Sequence, residues 1–330
     1  MPDPAVVALG ALAVLQSVAD LVVSIPDLPG YLLRTAPQLL VNGLLVGAPF
    51  AAVAVGFALI WGVVDIINLA HGEMVMLGAY TTFWTARLVH GPGEVSVWLA
   101  MATVPIAVGL LFVVGYALQR VVVSRVTGTD LFLTLLVTFG LSILIQQLAL
   151  QAWSATPRTL SIDFVERSMN LGGVVVPKMK LIAFVGAIVL TVLLWAFLKY
   201  TRQGRAIRAV AQNPEAAALL GIDVEHTRAL TFGLSSAIAG GTGSLIATIL
   251  SIGPQMGLVY TLRSFIIVVF GGIGSIPGAF VGGLSLGSVE ELTAGYWGST
   301  WTLAVSFTLL IVLLVVKPKG LFGEATEGEE

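Results

Sequence analysis

No cysteine occurs in the chain, which removes disulfides, thiolate catalysis and cysteine-ligated metals together. Charge is scarce: Asp, Glu, Lys and Arg make up 10% of the 330 residues, against about 25% in a soluble globular protein. The net charge of −2 offers no basic field for nucleic acid. No Gly-Lys pair occurs, so the phosphate-cradling loop G-x-x-x-x-G-K-[ST] is absent, and any ATP used belongs to another polypeptide. Histidine is limited to His71, His90 and His226. The one hydrolase-like string, GLSLG at 283–287, lacks the strand–turn–helix setting that a nucleophilic Ser285 would need. No catalytic residue, resident metal or cofactor is expected.

What remains is apolar. Hydrophobic residues make up 57% of the chain, and the mean hydropathy is +0.98. Stretches 35–64, 95–119, 131–157, 229–262, 264–289 and 292–316 are free of Asp, Glu, Lys and Arg, and each exceeds the roughly 20 residues that span a bilayer. The sequence therefore predicts an all-α polytopic membrane protein with about 8–10 transmembrane helices, some of them broken or re-entrant. Expected spans are 37–62, 66–89, 96–118, 131–152, 181–199, 229–251, 262–288 and 300–316. Residues 1–30 form a separate apolar segment, with a further span or interfacial helix over 5–25. Residues 31–322 form one transmembrane domain, and 323–330 an acidic tail.

The polar connections 153–180 and 199–228 carry four and five basic residues, too close a count to orient the chain. The second contains a short helix written in capping chemistry. Asn213 suits the N-cap, Pro214 the first helical position, and Glu215 the positive end of the helix dipole. Gly221 can close the helix in a left-handed conformation. Two turns are not stable alone in water, so this helix must dock on something.

Two segments interrupt the apolar pattern at corresponding places in the two halves. In 61–73, Gly62, Asp65, Asn68 and Gly72 break the run, and His71 and Glu73 follow within it. In 271–287, seven glycines surround Pro277. Pro277 lacks an amide hydrogen and clashes with the preceding turn, which predicts a break at GGIGSIPG. Gly274, Gly278 and Gly282 share a four-residue spacing suited to close helix contact. Gly/Pro interruptions in both halves of a transporter point to the substrate path. Candidate path residues are thus Asn68, His71, Glu73, Gly271, Gly272, Gly274 and Pro277. Ionisable groups at membrane depth are functional candidates, and three roles stand open for His71 and Glu73: a proton relay, satisfaction of backbone at the break, and contact with the ammonium or carboxylate of a passing solute.

Three motifs occur in order: INLAHGEMVMLGAY (67–80), RQGRAIRAVAQNPEAAALLGID (202–223) and FGGIGSIPGAFVGG (270–283). Within the second, EAAALLG (215–221) matches E-A-A-x-x-x-G, the cytoplasmic-loop signature of permease subunits of ATP-binding-cassette importers. The longer form of that signature ends in I-x-L-P, which this chain replaces with Thr231, Phe232, Gly233 and Leu234. From about residue 37 to 322 the chain resembles the branched-chain amino acid permease family, specifically the first of its two permease subunits. The resemblance implies a prokaryotic plasma (inner) membrane protein. It would form a heterodimer with a second permease, two ATP-binding cassette subunits that bind the ATP, and an extracytoplasmic solute-binding protein.

The coupling residues it implies are Arg205, Arg208, Glu215, Ala216, Leu219 and Gly221. Cargo would be branched-chain or other small neutral amino acids, with urea or short amides as the alternative in the same class. An ion-coupled secondary transporter is the alternative mechanism. With loop 199–228 and the C-terminal tail both cytoplasmic, as the family implies, 262–288 cannot be a single crossing. It must re-enter or fold as two segments.

Overall fold

The computed structural model describes residues 28–128, 130–163, 168–317 and 320–322. The segment expected over 5–25 and the acidic tail 323–330 lie outside them. In chain order the helices are α1 (Leu28–Val64), α2 (His71–His90), α3 (Val97–Val121), α4 (Leu131–Trp153), α5 (Lys178–Tyr200), α6 (Arg202–Gln212), α7 (Pro214–Leu219), α8 (Val224–Ile246), α9 (Met256–Gly271), α10 (Ile276–Trp297) and α11 (Thr302–Val316). Nine of these have fifteen residues or more. Among the described residues, six helices are long and apolar enough to cross a membrane, or seven spans if the α9–α10 pair, bent by 116° at its break, is one. The protein is an all-α polytopic membrane protein, as its apolar runs require.

Strands occur only as short pairs among the described residues. Val95–Ser96 (β1) runs parallel to Ile162–Asp163 (β2), and Ser168–Leu171 (β3) forms a hairpin with Val174–Pro177 (β4). These lie at one end of the bundle. Gln38 near the start of α1 exchanges hydrogen bonds with Val175, at 2.8 and 2.7 Å. Arg158 pairs through its backbone with Ile252, beyond the end of α8. At the opposite end lie α6, α7, both helix breaks and residues 320–322.

Two helices form the centre. The apolar windows of α1 and α8 are 89% buried, whereas that of α11 is 11% buried. A central helix touches protein on every side, so close approach matters more than greasiness, and glycine supplies it. A Cβ on Gly283 would stand 2.4 Å from the Ala51 Cα, and one on Gly287 would stand 2.4 Å from the Gly47 Cα. The α1–α10 crossing therefore has no room for a methyl group. At the α2–α8 crossing, a Cβ on Gly78 would fall 2.0 Å from the Gly240 oxygen. The 274–278–282 stripe divides: Gly278 and Gly282 pack against Gly271 and Ile267 of α9, while Gly274 lies outside the helix.

Expected span 262–288 is two elements, α9 and α10, separated by 272–275. Leu321 and Phe322 donate to the Phe270 and Gly271 carbonyls, at 2.9 and 3.0 Å. The tail thus sits at the α9–α10 break, and α10 leaves that end while α11 returns to it. This satisfies the parity requirement. Expected span 66–89 starts later, at His71, because 65–70 is irregular chain.

Candidate functional site

The irregular chain at 65–70 is held by side chains that replace the missing helical bonds. Asp65 has a positive φ of 56°. The Asn68 carbonyl side chain accepts from the Ala70 amide at 3.0 Å and fixes the turn into α2. Thr138 of α4 donates to the Ile67 carbonyl at 3.2 Å. Thr261 of α9 donates to the Leu69 carbonyl at 3.2 Å, and its oxygen accepts from the Gly72 amide at 2.9 Å. With no water to do this in a bilayer core, irregular backbone survives only inside protein that supplies such partners.

The second break follows glycine's logic. Gly272 and Gly274 have φ of 105° and 77°, a region closed to most side chains. The Ser275 hydroxyl then caps α10 by accepting from the Gly278 amide at 3.1 Å, with Pro277 in the first turn. The breaks meet: a Cβ on Gly62 would lie 3.2 Å from the Gly274 Cα. Gly274 and Pro277 are exposed, while Gly271 and Gly272 are buried.

His71 and Glu73 are wholly buried and sit apart from that meeting point. The His71 Nε2 hydrogen-bonds the Val53 carbonyl at 2.9 Å, and Nδ1 lies 3.4 Å from the Ser235 hydroxyl. Ser235 donates in turn to the Gly56 carbonyl at 2.7 Å. His71 therefore ties the start of α2 to α1 and α8, about 16 Å up α1 from its end at Val64. Glu73 points elsewhere, as a spacing of two dictates. Its Oε1 accepts from Ser142 of α4 at 3.0 Å. Its Oε2, like the Asn68 Nδ2, is buried without a hydrogen-bond partner among the described residues. A Cβ on Gly257 would lie 2.3 Å from that Oε2. The seven predicted path residues thus form two groups, one around the start of α2 and one at the α9–α10 break, joined by the length of α9.

A buried ion pair escaped the sequence reading. Arg263 of α9 binds Glu290 of α10 through two contacts, Nη2–Oε2 at 2.9 Å and Nε–Oε1 at 3.1 Å. Ser306 of α11 donates to Oε1 at 3.1 Å, and the guanidinium lies 4.6 Å from the Phe50 ring centre of α1. The signal was present: these two charges are what end the uncharged runs 229–262 and 264–289. A hydroxyl cluster was also missed. Thr82, Thr103 and Ser244 join α2, α3 and α8 through bonds of 2.5 and 3.0 Å.

At the end carrying both breaks, α6 and α7 form an exposed shelf. The Thr201 hydroxyl caps α6 by accepting from the Gly204 amide at 2.9 Å, and Ile207 and Val210 bury one face. The Arg208 guanidinium donates to the Leu198 carbonyl at the end of α5. Arg205 is exposed and makes no ion pair among the described residues. Asn213 caps α7, its side chain accepting from the Ala216 amide at 2.8 Å. Gly221 leaves the helix at φ 82°. Ala217 anchors α7 from beneath, Glu215 and Ala216 face outward, and Leu219 and Leu220 are 89% and 82% exposed.

Comparison with known proteins accounts for this architecture. Residues 39–314 match the family described as "Branched-chain amino acid transport system / permease component". The chain is 35% identical over 292 residues to the high-affinity branched-chain amino acid transport permease BraD of Pseudomonas aeruginosa, covering 87% of this chain and 95% of that protein. It is 32% identical, with the same coverage, to LivH of Escherichia coli, and 25% identical over 285 residues to a probable LivH of the archaeon Methanocaldococcus jannaschii, covering 82% and 87%. A shorter match, 34% over 138 residues and 39% of this chain, links it to 38% of the fructose import permease FrcC of Rhizobium meliloti. The chain is a multi-pass protein of the prokaryotic plasma membrane and a permease component of a transport system. It belongs to the branched-chain amino acid transport system permease family.

Proposed function

We propose that the chain is one half of the translocation path of an ATP-driven importer for branched-chain or other small neutral amino acids, and that α7 transmits the motion of an ATPase to it. A second, different permease would complete the path, two ATP-binding cassette subunits would bind the shelf, and an extracytoplasmic solute-binding protein would deliver cargo at the opposite end. The names of the full-length relatives support amino acid cargo, and the partial likeness to a fructose permease leaves the family's cargo range wider.

One observation carries the coupling role. Leu219 and Leu220 stand almost fully exposed beside a buried Ala217, on a helix with its own cap and glycine exit. Two bare leucines on a two-turn helix suit insertion into an apolar groove on a partner. Glu215 and Leu219, four apart, share the outward face. Arg205 can add an ionic contact to acidic ATPase residues or to lipid, whereas Arg208 is engaged with Leu198 and braces α6.

Because the chain lacks cysteine, Leu219→Cys introduces its one thiol. In the assembled complex, that thiol should cross-link to a cysteine scanned across the ATPase surface, and added ATP should change the yield. No cross-link at any ATPase position would remove α7 as the contact. An ion-coupled mechanism is tested separately: uptake by this chain alone, abolished by a proton uncoupler, would replace the ATP-driven reading.

The neighbours of His71 and Glu73 favour satisfaction of the α1–α2 break over a relay. Each bonds to a separate element, and no hydrogen bond joins the two. Gly272 and Gly274 shape the inner end of the path by backbone conformation.

A further inference from the structure

Between α2 and α3 runs an apolar groove of about 440 Å³, lined by Leu77, Tyr80, Trp84, Leu110, Val114 and Trp153 among others. It opens toward the bilayer: Ile106, Leu110 and Val113 on the same helix are 49–63% exposed. Between Trp84 and Leu77 it descends about 10 Å along α2. It lies on the end of α2 away from both helix breaks, so under the coupling assignment above it belongs to the outer leaflet.

A purely greasy crevice would need no explanation in lipid, but this one has a cationic mouth. Arg158 lies 5.4 Å from the Phe83 ring centre and 5.0 Å from that of Trp84, and Arg87 lies 5.4 Å from that of Phe83. Among the described residues neither guanidinium pairs with a carboxylate. Arg158 donates through Nη2 to the Trp153 carbonyl at 2.8 Å, while its buried Nε–H has no acceptor among the described residues. Tyr80 is wholly buried, stacks on Trp153 at 4.1 Å and lines the groove, and its hydroxyl has no partner among the described residues. Two guanidiniums with no ion pair among the described residues thus flank Phe83 and Trp84 at the end of the trough that Trp84 and Tyr80 line.

We propose that this groove binds an anionic glycerophospholipid of the outer leaflet, with its phosphate at Arg87, Arg158 and Tyr80 and one acyl chain along Leu77, Leu110 and Val114. A free amino acid fits less well. Its carboxylate could use the arginines and its side chain the trough. Its ammonium, however, would find no carboxylate, since the remaining polar lining is Thr81 and Thr85, and the Thr81 hydroxyl already donates to the Leu77 carbonyl. A phospholipid brings the anion and the apolar chain without a buried cation to satisfy.

The test uses the assembled importer in nanodiscs containing phosphatidylglycerol or phosphatidylcholine with dibrominated acyl chains at equal mole fraction. Emission from Trp84 and Trp153 is isolated by difference against a Trp84→Phe/Trp153→Phe variant. Dibromo-phosphatidylglycerol should quench preferentially, with the preference falling about fivefold for each arginine removed and weakening at high salt. Arg87→Gln carries this test if Arg158→Gln fails to accumulate, because the Arg87 side chain holds no hydrogen bond among the described residues. Equal quenching by both lipids means ordinary annular lipid and overturns the proposal. Absence of quenching by either lipid means another protein covers the face, and also overturns it. Relief of quenching by free leucine would make it an amino acid site instead. None of these outcomes depends on α7 contacting an ATPase, so failure here leaves the coupling reading standing.

Discussion

Replacing Glu290 by Gln should destabilise the chain far more than loss of a surface charge would. An exposed ion pair is worth about 0–1 kcal/mol. Here the side chains of Arg263 and Glu290 are only 19% and 6% exposed, and removing one partner of a buried pair costs about 3–5 kcal/mol, since the other charge is left unpaired. Ser306 keeps an acceptor in the Gln amide oxygen, and Phe50 still faces the guanidinium, so the lower end, about 3 kcal/mol, applies. At roughly 2–4 °C per kcal/mol for a large domain, the midpoint should fall by roughly 6–12 °C. The assay is the fraction of monodisperse chain surviving a heat step before size exclusion, read in the assembled complex. Removing both charges, as Arg263→Met/Glu290→Leu, should recover most of the loss, because an apolar replacement of a buried pair is often neutral. Wild-type stability in Glu290→Gln, or a double variant no better than the single, would refute the reasoning.

Further outcomes follow from named contacts. Gly274→Leu should assemble but lose uptake, since the nearest atom to its Cβ is 3.8 Å away and the burden is the left-handed backbone, about 1–2 kcal/mol; Gly274→Asn, which tolerates positive φ, should retain most transport in the same uptake assay. Gly78→Val should prevent accumulation of folded chain, because its Cβ would lie 2.0 Å from the Gly240 oxygen, and expression followed by size exclusion reads this directly. Glu73→Gln should keep both assembly and uptake, since the amide oxygen still accepts from Ser142; an unchanged fold with a raised KM for the amino acid would instead make Glu73 a substrate contact.

Both helix breaks were legible in the sequence because their chemistry is local. Pro277 and its glycines announce one, and Gly62, Asp65 and Asn68 the other. The cap of α7 was legible for the same reason: Asn213, Pro214 and Gly221 act within two turns. The α2 start was placed five residues early, since apolar 66–70 reads as helix until Asn68 is seen turning the chain. Pairing across the bundle was not legible. Arg263 and Glu290 stand 27 residues apart, and only the fold of α9 back against α10 brings them together. The same holds for Gly62 meeting Gly274, and for the bond from Arg208 to the Leu198 carbonyl at the end of α5.

The central claim is that α7 couples this permease to ATP hydrolysis, and the most direct measurement is ATPase activity of the reconstituted complex with and without loaded binding protein. Gly221 has open space around its Cβ position, so Gly221→Val acts through its left-handed φ of 82° and disturbs only the exit of α7. Leu219→Ala removes an exposed anchor, at about 1–2 kcal/mol where such a residue becomes buried in a partner. In both variants the membrane helices should stay folded, while stimulated hydrolysis and uptake fall together. Wild-type stimulation and transport in Gly221→Val would contradict the account, leaving α7 a solvent-side helix with no part in coupling.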